Sequence, residues 1–218
     1  MNTDKNVIVI LDPGHGPDTP GKRWVSTGEA SGGENGADAS IEPSFYEWKW
    51  NREYSKVLMG ELMLRGYRVF LTVEGEEPDK ALAKRVEFAN NLKEYNRNMH
   101  CLYISLHVDA SENTRAHGLS VWTTKGFTNS DVLADYIIES IKPTGYKVRL
   151  SSPKQHEKDY EANFYVIKNA AMPAVLIEHG FMTNKEDRAL LRQESTKTML
   201  ADATADGVDA YCRHMEWN

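Results

Sequence analysis

Apolar residues along this chain follow two alternating patterns, one typical of strands and one typical of helices. Residues 7–11 and 174–177 are continuous apolar runs, as found in strands buried on both faces of a parallel sheet. Further strands are predicted at residues 67–72, 101–106, 118–123 and 164–168. Apolar residues recur at helical spacing in residues 46–65, 79–92, 131–141, 183–191 and 196–213. This order predicts an α/β fold with a central, mostly parallel, twisted sheet flanked by helices on both faces.

Polar residues and glycine mark the ends of several predicted helices. Gly66 suits the position after a helix, because glycine readily adopts the left-handed conformation that ends one. Asp79 is predicted to cap the start of the second helix. Residues 183–186 read Thr-Asn-Lys-Glu and fit a capping box, which predicts another helix start.

The chain is predicted to form a single domain over residues 1–218, because it contains no visible repeat, linker or second domain. Residues 17–43 interrupt the pattern with a long stretch rich in glycine, serine and acidic residues. Loops of this length are unusual inside a compact domain and often serve a function. Two interpretations stay open: a disordered surface excursion, or a flexible rim near a functional site.

Composition and charge exclude several classes of protein. The 218 residues carry a net charge of −6, so a broad nucleic-acid-binding surface is not expected. No apolar run is long enough to cross a bilayer.

Cys101 and Cys212 are the only cysteines, and they predict buried thiols rather than a disulfide framework. The first residues lack the basic and apolar regions of a secretory signal, so no signal peptide is expected.

Three ionisable residues directly follow predicted strands. His15 lies in a Gly-His-Gly turn just beyond the first strand, and His107 and Glu178 each follow a later one. Because the carboxyl ends of parallel strands meet at one sheet edge, these side chains are expected to gather there. Two imidazoles and a carboxylate could hold a zinc ion, and Glu178 could act as a general base. The alternatives are histidines without a functional role and a Glu178 carboxylate that pairs with Arg85 or another cation.

A third metal ligand cannot be selected from residue physics alone. Glu47 lies in the first turn of a predicted helix, where the helix dipole favours a carboxylate in any case. Glu42 and Glu53 are equally acceptable candidates at this stage. His179 is expected to point away from Glu178 if the strand continues, because successive strand side chains alternate between faces.

Ordered motifs over residues 11–211 resemble one enzyme family, the zinc-dependent N-acetylmuramoyl-L-alanine amidases of the Amidase_3 type. The motifs are Asp12-Pro13-Gly14-His15-Gly16, Glu47 with Asn51, Gly66-Tyr67-Arg68-Val69, Arg85 with Ala89-Asn90, Ser105-Leu106-His107, and Met172-Pro173-Ala174-Val175-Leu176-Ile177-Glu178-His179-Gly180-Phe181. Each motif is weak by itself, but their order and spacing together are specific. Asp109 departs from the family, which often has asparagine at that position, and its role stays open.

The resemblance implies a ligand set, an activity and a fold. His15, Glu47 and His107 would bind Zn²⁺, with the Glu-x-x-x-Asn spacing selecting Glu47. Glu178 would be the catalytic residue of a single catalytic domain with three layers, like those of zinc exopeptidases. The implied reaction is hydrolysis of the amide bond between N-acetylmuramic acid and L-alanine in peptidoglycan. The expected protein is a monomer that binds peptidoglycan stem peptides, with no nucleic-acid partner and no transmembrane segment.

An amidase of this family without a signal peptide resembles a phage or prophage endolysin. Such an enzyme would be synthesised in the cytoplasm and would reach the cell wall after release through a membrane lesion. Two alternative functions stay open. One is a zinc aminopeptidase or carboxypeptidase of similar architecture, and the other is a non-catalytic wall-binding derivative of such an enzyme.

Overall fold

A computed structural model describes residues 5–25, 43–152 and 158–217. Its strands are β1 (Val7–Pro13), β2 (Arg23–Trp24), β3 (Phe45–Tyr46), β4 (Arg68–Leu71), β5 (His100–Asp109), β6 (Ser120–Thr123), β7 (Tyr160–Glu161) and β8 (Ala174–Phe181). Its helices are α1 (Glu47–Leu64), α2 (Leu82–Tyr95), α3 (Asn129–Ile141), α4 (Tyr165–Asn169), α5 (Lys185–Leu191) and α6 (Glu194–His214). A short 3₁₀ turn, Lys142–Thr144, follows α3.

The central sheet has the strand order β4-β1-β5-β8-β6-β7. The strands β4, β1, β5 and β8 are mutually parallel, whereas β6 pairs antiparallel to β8. All seven residues of β1 are buried, as expected for a strand covered on both faces. The predicted α/β fold with a mostly parallel central sheet is therefore confirmed.

Helices cover the sheet on both faces, which gives three layers. One face carries a large apolar core between the sheet and α1, α3, α5 and α6, with Val7, Val9 and Leu11 pointing into it. The other face carries a smaller core beneath α2 and α4, and Ile8 and Ile10 point into that one. The two-residue period of β1 thus divides its side chains between both cores. Cys101 and Cys212 are free and buried, as predicted.

One predicted strand is wrong, because residues 164–168 lie almost entirely in helix α4. A short apolar run fits either element, and periodicity alone cannot separate them. In the structure Val166 and Ile167 are buried beside α2, whereas Phe164 and Tyr165 are exposed. Only a helical turn presents these two adjacent residues to the same small core.

Two predicted helix caps are also wrong. Helix α2 begins at Leu82 without a side-chain cap, because the Asp79 carboxylate instead accepts hydrogen bonds from Arg85 and Thr19. Helix α5 is capped by Asn184, whose Oδ1 accepts from the backbone N–H groups of Glu186 and Asp187. The hydroxyl of Thr183 accepts from the Ser111 backbone instead, so the capping box does not form.

The long segment at residues 17–43 is only partly described, since residues 26–42 lie outside the described part of the chain. Its described beginning contains a short strand, β2. Strand β2 pairs antiparallel with β3, with Arg23 opposite Tyr46 and Trp24 opposite Phe45. The Glu47 backbone N–H donates to the Lys22 carbonyl at 3.2 Å, which holds this segment against the start of α1.

No helix in the described ranges is long and apolar enough to cross a membrane.

Candidate metal centre

A tight turn after β1 carries His15 to the carboxyl edge of the sheet. The Gly14 backbone N–H donates to the Leu106 carbonyl at 2.9 Å, and Asn51 donates to the Gly14 carbonyl at 3.1 Å. A Cβ on residue 14 would lie 2.1 Å from the His107 ring, so only glycine fits there. This close approach places the His15 and His107 rings edge to face, with centroids 4.8 Å apart.

His15 has an uncommon backbone conformation, with a φ of 64°. A non-glycine residue in this left-handed region is strained unless its surroundings hold it there. Two arginines do so: Arg52 donates to the His15 carbonyl at 2.9 Å, and Arg85 donates to it at 3.4 Å. The Asp79 carboxylate lies 4.0 Å from the His15 Nδ1 atom on the other side. The strain is thus localised at a functional candidate.

Arg85 is fully engaged beneath this turn. Its guanidinium donates to the Asp12 carboxylate at 2.7 Å, to the Pro13 carbonyl at 2.8 Å and to Asp79 at 2.8 Å. Burial would raise the pKa of Asp12, but the Arg85 charge and the Thr72 and Arg85 hydrogen bonds hold it below its usual range. The alternative of a Glu178–Arg85 pair is therefore wrong.

Glu47 reaches the same edge from the first position of α1. Its Oε1 atom lies 3.0 Å from His107 Nδ1 and 3.3 Å from His15 Nε2, and it accepts from the Val108 backbone N–H at 3.2 Å. Burial alone would raise the pKa of Glu47, but the hydrogen bond with His107 and the close approach of the His15 ring depress it strongly. Glu47 therefore presents a carboxylate rather than a carboxylic acid.

The structure separates Glu47 from one of its two rivals, Glu53. Glu53 lies farther along α1 and its carboxylate accepts from Lys197 at 2.6 Å, on the side of α6. Glu42 falls outside the described residues. Among the described residues, only His15, Glu47 and His107 form a group that could hold a metal ion, with one candidate ligand atom each and all three within 4.8 Å of one another.

The donor set and its unpaired atoms fit a zinc ion. Two imidazole nitrogens and a carboxylate oxygen are common zinc ligands, and ligand atoms that share one zinc ion lie roughly 3–3.5 Å apart. The 3.0 and 3.3 Å separations here are in that range. His15 Nε2 and Glu47 Oε2 are buried and make no hydrogen bond within the described part of the chain. Such atoms are costly to bury unless something else binds them.

Glu178 lies on β8 directly opposite His107 of β5 in the parallel ladder. Its Oε2 atom is buried without a hydrogen-bond partner among the described residues. Burial, with the negative charges of Glu47 and Asp109, raises the pKa of Glu178 well above its ordinary value. A carboxyl group whose environment favours binding a proton, next to a metal-ligand cluster, can accept a proton and later return it.

His179 lies on the opposite face of β8, as expected from strand alternation. Its ring packs against Trp50 and Tyr54, and its Nδ1 atom bonds to the His107 carbonyl at 3.0 Å. Burial lowers the pKa of His179 to about 3, so the ring is neutral. His179 therefore supports the strand that carries His107 and stays outside the candidate site.

Two cations beside the site were not anticipated from sequence. Lys22 Nζ lies 3.8 Å from Glu47 Oε2, and Arg149 Nη1 lies 4.0 Å from the Asp109 carboxylate. Both lie in segments without periodic hydrophobicity, so no sequence pattern pointed to them. Arg52 was also missed, and the only signal was its position five residues beyond Glu47 and next to Asn51.

The fold and this edge cluster define a class: an α/β protein with a candidate His-Glu-His metal site at the carboxyl ends of parallel strands. The sequence profile of the N-acetylmuramoyl-L-alanine amidase family matches residues 9–210. Since that match covers most of the chain, the protein belongs to this family.

Curated and solved relatives agree with this assignment. The probable cell wall amidase LytH of Staphylococcus aureus is 25% identical over 203 residues. This alignment covers 93% of the present chain but 57% of the relative, so the chain spans little more than half of that protein. A solved structure shows the CwlD amidase of Clostridioides difficile in complex with the GerS lipoprotein. Its sequence is 25% identical to this chain, and the two structures match with a TM-score of 0.69 over 97% of this chain and 100% of that one.

Two further solved structures show the same fold at lower identity. The catalytic domain of CwlV from Bacillus (Paenibacillus) polymyxa has a TM-score of 0.72 at 24% identity and covers 97% of this chain and 99% of its own. The catalytic domain of the CD27L endolysin has a TM-score of 0.62 at 21% identity, over 94% and 97% of the two chains.

Proposed function

We propose that this chain hydrolyses the amide bond between N-acetylmuramic acid and L-alanine in peptidoglycan. In this proposal His15, Glu47 and His107 bind a zinc ion and Glu178 is the catalytic residue. Family membership supports the bond, and one observation supports the residues: Glu178 lies opposite His107 of the ligand cluster, with a buried Oε2 atom that has no hydrogen-bond partner among the described residues.

A zinc ion held by these three residues would supply Lewis acidity, which polarises an amide carbonyl and makes a water molecule more acidic. The protein's own groups then control position and protons. Glu178 accepts the proton released by the attacking water and returns a proton to the L-alanine nitrogen when the carbon–nitrogen bond breaks. Arg52 and Arg85 hold the His15 turn in place through its carbonyl oxygen. His179 stays neutral behind β8 and adds no competing charge.

The first test replaces Glu178 with glutamine, which keeps the shape of the side chain and removes its ability to take a proton. Glu178→Gln is expected to bind zinc like the unaltered protein and to lose about 10²- to 10⁴-fold in activity, the range typical of a general base. Zinc content is measured by metal analysis, and activity by the new L-alanine amino groups released from purified peptidoglycan.

Three comparisons make this test decisive. Glu186→Gln, an exposed substitution on α5, is expected to change neither quantity. His15→Ala and His107→Ala are expected to lose zinc as well as activity. Near-normal hydrolysis by Glu178→Gln would contradict the catalytic role. If mass spectrometry finds fragments that were cleaved inside the stem peptide, the protein is a peptidase. If the protein binds sacculi without releasing peptides, it is a wall-binding protein.

The site of action follows from the same proposal. The substrate lies in the bacterial cell wall, so the protein acts there and binds peptidoglycan stem peptides. An endolysin-type origin, release through a membrane lesion and a monomeric state stay predictions. They rest on the sequence and on the general resemblance to this family.

A further inference from the structure

Arg149 lies in a segment that hydrogen bonds tie to the edge of the sheet. The Leu119 backbone N–H donates to the Lys147 carbonyl at 2.8 Å, and the Arg149 backbone N–H donates to the Leu119 carbonyl at 2.7 Å. Val148 packs against the large apolar core. Because neighbouring residues of an extended segment point in opposite directions, Arg149 faces away from that core.

Two aromatic rings lie within cation–π distance of the Arg149 guanidinium. The guanidinium carbon lies 4.8 Å from the centre of the Phe181 ring and 5.3 Å from that of Tyr160. The Tyr160 hydroxyl donates to the Leu150 carbonyl at 3.2 Å, which fixes one of these rings to the same segment. Cation–π contacts of this kind restrain a guanidinium without using its N–H groups.

The N–H groups of that guanidinium make no hydrogen bond to any residue in the described ranges. Its nearest acidic neighbour there is Asp109, at 4.0 Å, which is beyond hydrogen-bond distance. One oxygen of Asp109 already accepts from the Ala110 backbone N–H at 2.7 Å. The Arg149 side chain is 29% exposed, so these donors can reach a ligand from solvent.

The position of Arg149 relates it to the candidate catalytic residues. Asp109 lies two positions after His107 on β5, and two strand positions span roughly 6.5–7 Å. The positive charge of Arg149 also acts on Glu178, where it opposes the effect of the neighbouring carboxylates. The guanidinium therefore lies on the Asp109 side of the ligand cluster, close enough for its charge to act on Glu178.

We propose that Arg149 binds a carboxylate of the stem peptide, on the residue that follows L-alanine. This proposal rests on the amidase function proposed above and adds a specificity-determining residue to it. A guanidinium presents paired N–H donors that match the two oxygens of a carboxylate, and this geometry discriminates a carboxylate from its amide. Lys22 is the less suitable cation, because it already lies 3.8 Å from the candidate ligand Glu47.

The test uses two synthetic muramoyl peptides that differ only in the residue after L-alanine, which carries either a free carboxylate or its amide. The zinc-loaded protein is expected to prefer the free carboxylate in kcat/KM. Arg149→Gln is expected to lower kcat/KM for that substrate by about 10- to 100-fold, as for loss of a charged hydrogen bond. The amidated substrate is expected to change less than about threefold.

Two further variants serve as references. Arg149→Lys keeps the charge without the paired donors and should retain an intermediate preference. Arg97→Gln removes the same charge from an exposed site at the far end of α2 and should leave both substrates unchanged. The proposal is overturned if Arg149→Gln keeps the full preference, or if it lowers kcat/KM for both substrates by one common factor.

A binding measurement separates this proposal from the amidase function. Calorimetry of the uncleaved peptides with Glu178→Gln, and with Glu178→Gln combined with Arg149→Gln, reports carboxylate preference without hydrolysis. If the unaltered protein cleaves neither peptide but binding still prefers the carboxylate through Arg149, the reaction is wrong and the carboxylate site stands. If binding shows no such preference, the carboxylate site is wrong whatever the activity.

Discussion

At the residue scale, the Asp12–Arg85 pair determines whether the His15 turn keeps its shape. Both side chains are almost fully buried, and Asp12 also accepts from Thr72 at 2.5 Å and from Ser105 at 2.9 Å. Arg85 extends the network to the Pro13 carbonyl and the His15 carbonyl. A buried pair of this kind is costly to break, because the remaining charge is left without its partner.

Replacing Asp12 with asparagine is therefore expected to lower the free energy of unfolding by about 3–5 kcal/mol at neutral pH. The folded-state pKa of Asp12 lies below its ordinary value of 3.8, so its stabilising effect is complete above that pH. As the pH falls through the folded-state pKa the effect is lost, and the difference between the two proteins should shrink. Denaturant unfolding at pH 7 and at a series of acidic pH values measures both quantities.

Glu76→Gln provides the control for this experiment, since Glu76 is exposed on a loop. It removes one carboxylate from the surface and is expected to shift stability by less than about 0.5 kcal/mol at any pH tested. A constant difference between Asp12→Asn and the unaltered protein down to pH 3 would argue against the depressed pKa of Asp12.

At the element scale, α3 and α6 pack together through a glycine. A Cβ at Gly207 of α6 would lie 2.6 Å from the Ile137 Cα and 3.0 Å from the Tyr136 carbonyl oxygen, both in the backbone of α3. Backbone atoms cannot rotate away as a side chain can, so the two helices approach as closely as they do only because residue 207 lacks a side chain. Helix α6 in turn packs on α1, which begins with Glu47.

Gly207→Ala is therefore expected to destabilise the protein by about 1–3 kcal/mol, because it overpacks this helix contact. The matched control is Gly60→Ala in α1, where an added Cβ meets nothing within 4 Å. That variant should be more stable by about 0.5–1 kcal/mol, since alanine favours the helix more than glycine does. Thermal unfolding of both variants checks the opposite signs, and equal effects would contradict the packing argument.

At the scale of the whole molecule, the proposed metal, held by His15 after β1, His107 of β5 and Glu47 at the start of α1, would join distant parts of the chain. A ligand that binds only the folded state stabilises that state by about 2.7 kcal/mol at a free concentration 100-fold above Kd. For a domain of this size that corresponds to a rise in Tm of about 5–10 °C.

Addition of zinc to the metal-free protein is accordingly expected to raise Tm by about 5–10 °C at 100-fold excess over Kd. His107→Ala should show no such rise, and Glu178→Gln should show nearly all of it, because Glu178 is not among the three proposed ligands. Differential scanning calorimetry with and without a chelator measures these shifts. A full shift in His107→Ala would place the metal at another site.

The sequence predicted the sheet and most helices correctly, because buried parallel strands need continuous apolar runs and surface helices need one apolar face. The errors fall where local signals are ambiguous. Residues 164–168 are short enough for either element, and their helical form depends on the space beneath α2. Asp79 has the chemistry of a cap, but Thr19 and Arg85, which are held by other parts of the fold, bind its carboxylate.

The sequence by itself determined that His15, His107 and Glu178 would share an edge, because each follows a strand and parallel strands end together. Residue physics left open which carboxylate of α1 joins them, and the family resemblance pointed to Glu47. The tertiary structure supplies the physical reason. Glu47 turns to His107 and Glu53 pairs with Lys197, since the packing of α1 directs its two faces to different neighbours. The positions of Lys22 and Arg149 beside the site also depend on the tertiary structure. Hydrogen bonds to distant segments fix these two residues, and no local sequence pattern predicts where they lie.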